Sequence, residues 1–132
     1  MKQALTYTGN IFVTTVLSGP VIVFVLLALS DPLKYNDTDA MYTVVAIPAG
    51  FVLYLPSWLL LWWLTTCLGK SVSSIIMLKV YLSFVCLPLS ILPFFIMNYR
   101  AIIHSNYWPS LAPWVCTYAV ITMVGIWFYK LR

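Results

Sequence analysis

The stretch "VSSIIMLKVYLSFVCLPLSILPFFIM", residues 72–97, decides the fold. It carries a single charge, Lys79, and no acid. Crossing the hydrocarbon core of a bilayer takes about 20 helical residues, and this run is longer than that. It also lacks the period-two alternation of a barrel strand, so it predicts a membrane-spanning helix. Counting every three and four residues gives Ile76, Lys79, Ser83, Cys86, Ser90, Pro93 and Met97. That single face gathers the polar and small residues of the span. Continued past Met97, the count reaches Arg100 and then His104 in "NYRAIIHSNYWP" (98–109), provided the helix runs on by a turn and a half.

Three further runs of similar character flank this one, at 11–30, 41–67 and 108–129. Each stops at polar or Pro/Gly punctuation, such as "SDPLKYNDTD" and "LGKSVSS". The chain is 63% hydrophobic and 8% charged, and it contains no glutamate. A soluble domain needs a charged coat about three times richer. The expectation is one all-α domain over residues 1–132, an integral membrane four-helix bundle. Pro20, Pro48, Pro56, Pro88 and Pro93 fall inside spans and predict several kinked helices. The first run resembles a signal peptide in its basic start at Lys2 and its "ALSD" end. It is longer than a signal peptide's apolar core and is broken by Pro20, so it reads as a retained span.

Four spans place Lys2, Lys70, Lys79, Lys130 and Arg132 on one side, against Lys34 and Arg100 on the other. The positive-inside rule then makes both termini cytoplasmic, in a multi-pass protein of a bacterial inner membrane. Aromatic residues fall in two belts: Trp62, Trp63, Tyr81, Trp127 and Tyr129 inside, Tyr35, Tyr42, Tyr99, Tyr107 and Trp108 outside. This asymmetry accounts for the net charge of +4 without a nucleic-acid partner.

Between helices in lipid, small and polar residues mark the contact faces. Ala46, Gly50, Cys86, Ala112, Cys116 and Ala119 are the expected packing residues. Asn10, Thr14 and Ser18 form a polar line in the first span, and Thr43, Tyr54 and Ser57 share the Ala46–Gly50 face of the second.

Chemistry is sparse. The only acids, Asp31, Asp37 and Asp39, share one outer loop, so no span offers the buried acid of a proton-coupled exporter. Asn36 and Asp37 suit a turn, and Thr38 or Asp39 suits a helix cap. The cysteines Cys67, Cys86 and Cys116 form no C-x-x-C pair, and one histidine gives neither a metal nor a haem site, so no cofactor is expected. No nucleophile motif accompanies His104, and no catalytic residues are assigned. Lys79 is either an intramembrane functional charge or a lysine that snorkels to the headgroups. Arg100 and His104 either pair with Asp31, Asp37 or Asp39 or hold an anion at the outer face.

Two functions follow. The first is a non-enzymatic protein that binds another membrane protein, or itself, through small and polar helix faces, as an accessory subunit or an immunity-type inhibitor does. The second is a small transporter or lipid-headgroup carrier that uses Lys79, Ser83, Ser90, Arg100 and His104.

Overall fold

A computed structural model of the chain describes residues 2–30, 37–103 and 108–130, the side chains at 37–40, 42–43, 97–103 and 108–111 lying outside that description. Four helices account for it: α1 (Lys2–Ser30), α2 (Asp37–Ser71), α3 (Ile75–Ile103) and α4 (Trp108–Phe128). There is no strand among the described residues. The number and order of helices are those read from the apolar runs, but the ends differ. Helix α1 begins at Lys2 rather than Ile11. The segment "KQALTYTGN" is too polar to register as an apolar run, yet its threonines return to the helix backbone, Thr8 Oγ1 donating to the Ala4 carbonyl at 2.9 Å. Helix α3 continues through Ile103, which brings Arg100 into the helix.

The helices pack in a ring. Helix α1 lies against α2 and α4, and α3 lies against the same two; of the diagonal pairs, α2 and α4 meet across the centre through the side chains of Tyr54, Tyr118 and Thr122. Neighbours run antiparallel. Gly19 faces Tyr118 while Gly125 faces Ile11, and Gly69 faces Leu78 while Ser57 reaches Leu89. The core has two layers. One is mainly aliphatic, with Ile11, Leu61, Leu82 and Ile126. The other is aromatic: Phe12, Tyr54 and Tyr118 pack with Phe51, Trp58 and Phe94.

Three helices are long and apolar enough to cross a membrane, over Lys2–Ser30, Val44–Ser71 and Ile75–Ile96, and α4 has a shorter apolar stretch, Ala112–Phe128. The burial pattern departs from that of a water-soluble bundle: hydroxyls share the apolar core and large apolar side chains face outward. Thr8, Thr15, Ser57, Thr65, Ser90 and Thr122 are buried, while Leu29, Phe84 and Phe128 are each about three-quarters exposed.

The prolines expected inside the second and third spans sit within continuous helices. Pro93 has no N–H to give the carbonyl four residues back, which is Leu89. Ser57 of α2 supplies the missing donor, its Oγ lying 2.8 Å from the Leu89 oxygen. A helix broken in its ladder is thereby repaired from the neighbouring helix. Ser57→Ala is expected to cost about 1–3 kcal/mol, because it leaves a buried carbonyl unpaired. In a Pro93→Ala background the helix's own amide returns, and the same change should cost less than about 0.5 kcal/mol. SDS titration of the four proteins in mild detergent measures the cycle; strict additivity would assign the effect of Ser57 to packing alone.

Candidate functional site

The polar stripe of α3 divides into two separate stations. Lys79 and Ser90 lie about 16 Å apart along the helix axis, with the buried side chains of Leu82, Cys86 and Leu89 between them.

The first station is the C-terminal end of α4. The last carbonyls of a helix have no partner within it and carry partial negative charge. Lys79 Nζ donates to the carbonyls of Trp127 (3.1 Å) and Tyr129 (3.0 Å). Its ammonium also lies 5.9 Å from the centre of the Trp127 ring. The Trp127 indole Nε1 donates to Ser83 Oγ at 3.1 Å, and Tyr7 OH donates to the Ile126 carbonyl at 2.7 Å. Tyr129 OH meets Thr14 Oγ1 at 2.5 Å. Side chains from α1 and α3 thus satisfy the groups that α4 leaves open. Lys79 is a cap across helices, a role not among the two that the sequence suggested.

Removal of this cap should be measurable. Lys79→Ala is expected to lower stability by about 1–2 kcal/mol, since Lys79 is half-buried and charged donors are worth more than neutral ones. Amide exchange should accelerate in the last turn of α4 and remain unchanged in its middle. Uniform acceleration along α4 would remove the capping role.

The second station is the centre of the bundle, where each helix contributes a hydroxyl. Tyr54 OH of α2 lies 3.3 Å from Ser90 Oγ of α3 and 3.3 Å from Thr122 Oγ1 of α4. Thr15 Oγ1 of α1 lies 3.4 Å from Thr122 Oγ1. Proton supply limits this cluster. Ser90 donates to the Cys86 carbonyl (2.7 Å), Thr122 to the Tyr118 carbonyl (2.7 Å) and Thr15 to the Ile11 carbonyl (2.8 Å). A hydroxyl has one proton. Three of the four are therefore committed to their own helices, and the Tyr54 proton can serve only Ser90 or Thr122 at a time. Beside this cluster lies a cavity of about 10 Å³ against Tyr54, Ser57, Trp58 and Thr122. That is space for no more than one water molecule.

The remaining expected residues fall as follows. Cys86 is fully buried, its thiol 2.9 Å from the Ser83 carbonyl. Ala119 is buried, and Ala46, Gly50 and Ala112 are half-buried. Cys116, expected at a packing face, is exposed. The contact face of α4 runs through Val115, Tyr118, Ala119, Thr122 and Ile126 instead. The polar line of α1 is likewise shifted: Asn10 is exposed, while Tyr7, Ile11, Thr15 and Gly19 are buried. Asp31 and His104, and the side chains of Asp37, Asp39 and Arg100, lie outside the described residues. No group of three His, Cys, Asp or Glu that could hold a metal occurs among the described residues.

Thr15, Tyr118 and Thr122 were not singled out by the sequence. Tyr118 fills the space beside Gly19, its ring carbons 2.7–3.1 Å from where a Cβ would stand, and its hydroxyl lies 3.8 Å from the corresponding point at Gly50. Gly50 of α2 was legible as a packing residue; Gly19 of α1 was not singled out, and neither was the large residue on α4 that answers them both. No protein-family model, curated protein or solved structure matches this chain.

Proposed function

We propose that this chain is an integral membrane four-helix bundle, with both termini in the cytoplasm of a bacterial cell, that acts without catalysis by binding another membrane protein sideways in the bilayer. The apolar outer surface, together with hydroxyls buried in the core, carries this reading. Hydroxyl side chains are gathered inside, where they bond to one another and to backbone, while bulky apolar side chains face outward on every helix. The void beside the central hydroxyls is only about 10 Å³, and Lys79 and Ser83 are engaged at the end of α4. What the protein offers to the rest of the cell is then its lateral surface and its two ends. The carrier reading needs an interior path past Ser90, and the described residues favour none.

The test is affinity purification of the tagged chain from its own membranes in mild detergent. A membrane protein should accompany it at fixed stoichiometry, and Lys79→Ala should keep that companion despite the loss of stability. Purification of the chain alone, together with solute flux in proteoliposomes that Lys79→Ala abolishes without unfolding, would reverse the choice in favour of a carrier.

A further inference from the structure

A second feature lies at the end of the bundle where α1 begins and α4 stops. An open groove of about 310 Å³ runs between the first three turns of α1 and the residues that follow α4. That volume is at the lower end of the roughly 300–1,000 Å³ of small-molecule sites. Lys2, Gln3 and Asn10 line it from α1, and Lys130 from the residues after α4. All four side chains are exposed, and among the described residues none of them has a hydrogen-bond or ion-pair partner. The tyrosines of the groove are committed elsewhere, Tyr7 to the Ile126 carbonyl and Tyr129 to Thr14. They hold the walls together and leave the lysines and amides as donors.

No acidic side chain can neutralise these lysines. The three acids of the chain lie at 31–39, beyond the far end of α1. A 29-residue helix is about 44 Å long. Among the described residues the groove therefore presents two ammonium groups and two amide donors with no acidic side chain on its lining, a donor set that suits the several acceptor oxygens of a phosphate. Helix α1 also exceeds the ~30 Å hydrocarbon thickness by about two and a half turns, so on the membrane reading its polar first turns reach the headgroup level.

We infer that this groove binds a phosphate group, carried either by an anionic phospholipid headgroup or by a free phosphate. The lipid source rests on the membrane reading above; the free-phosphate source does not, so the two fail separately. Each lysine near an anionic surface contributes a factor of about five in affinity. Lys2→Gln with Lys130→Gln should thus weaken binding about twenty-five-fold.

The experiment is native mass spectrometry of the full chain in uncharged detergent, titrated with phosphatidylglycerol, phosphatidylcholine or inorganic phosphate. One phosphatidylglycerol should be retained in preference to phosphatidylcholine. Lys70→Gln, at an exposed lysine in the last turn of α2 and outside the groove, should leave that preference intact. Asn10→Asp places a negative charge in the groove with both lysines present and should also weaken retention, which guards against a double variant that merely folds poorly. Phosphate that binds alone and displaces the lipid identifies the free anion as ligand; lipid retention that survives phosphate identifies the headgroup. Equal retention of both lipids with no phosphate binding overturns the site, as does a loss with Lys70→Gln equal to that of the double variant.

Discussion

Tyr54→Ala is expected to destabilise the bundle by about 3–5 kcal/mol, and Tyr54→Phe by only about 0.6 kcal/mol. The contrast follows from what each change removes. The Tyr54 ring is 5% exposed and packs against Phe12 and Tyr118, with ring centres 6.4 and 5.5 Å away. Truncation to alanine opens a void that all four helices border. In lipid the helices hold together chiefly by close packing, so lost contacts are felt directly. The hydroxyl matters less, despite its central position. Its neighbours Ser90 and Thr122 keep their bonds to Cys86 and Tyr118 when it is gone, and no buried donor is stranded. SDS titration of the three proteins decides the matter. A phenylalanine variant as weak as the alanine one would mean that the hydroxyl cluster, and not the ring, holds the centre.

The same comparison shows which features the sequence could carry. Helix number, order and approximate extent follow from apolar runs and the residues that interrupt them, because the length of a span is a property of one segment. The stripe of α3 was legible for the same reason: Lys79, Ser83 and Ser90 are its few polar residues, and a helix puts them on one side. What each faces is a property of two segments. Nothing in the local pattern says that Lys79 meets the end of α4, or that Ser57 lies beside the carbonyl Pro93 leaves open. Rotation of α1 and α4 was also illegible. Both are apolar nearly all round, and α1 carries hydroxyls at both Thr14 and Thr15, so a one-residue shift of the buried face changes the composition very little.

Gly19 offers the sharpest test of how α1 and α4 approach. A Cβ placed there would stand 2.7 Å from Cζ and 2.8 Å from Cε2 of Tyr118. The ring has little room to withdraw, since Tyr54 lies 5.5 Å and Phe94 6.0 Å from it, centre to centre. Gly19 also precedes Pro20, where a side chain on the helix would crowd the proline ring. Gly19→Leu should therefore cost about 3 kcal/mol, the upper part of the range for overpacked cores. Gly9, in the same helix, has nothing within 4 Å of its Cβ position. There the propensity of alanine acts alone, and Gly9→Ala should raise stability by about 0.5–1 kcal/mol. Gly19→Ala gains the same propensity but must still push against Tyr118, so its net effect should be a loss. Shortening the partner separates the causes: with Tyr118→Leu already present, Gly19→Ala should lose most of its cost and approach the behaviour of Gly9→Ala. If the two alanine variants gained stability alike in the unaltered background, Tyr118 would not be seated against Gly19, and the packing of α1 on α4 would have to be redrawn.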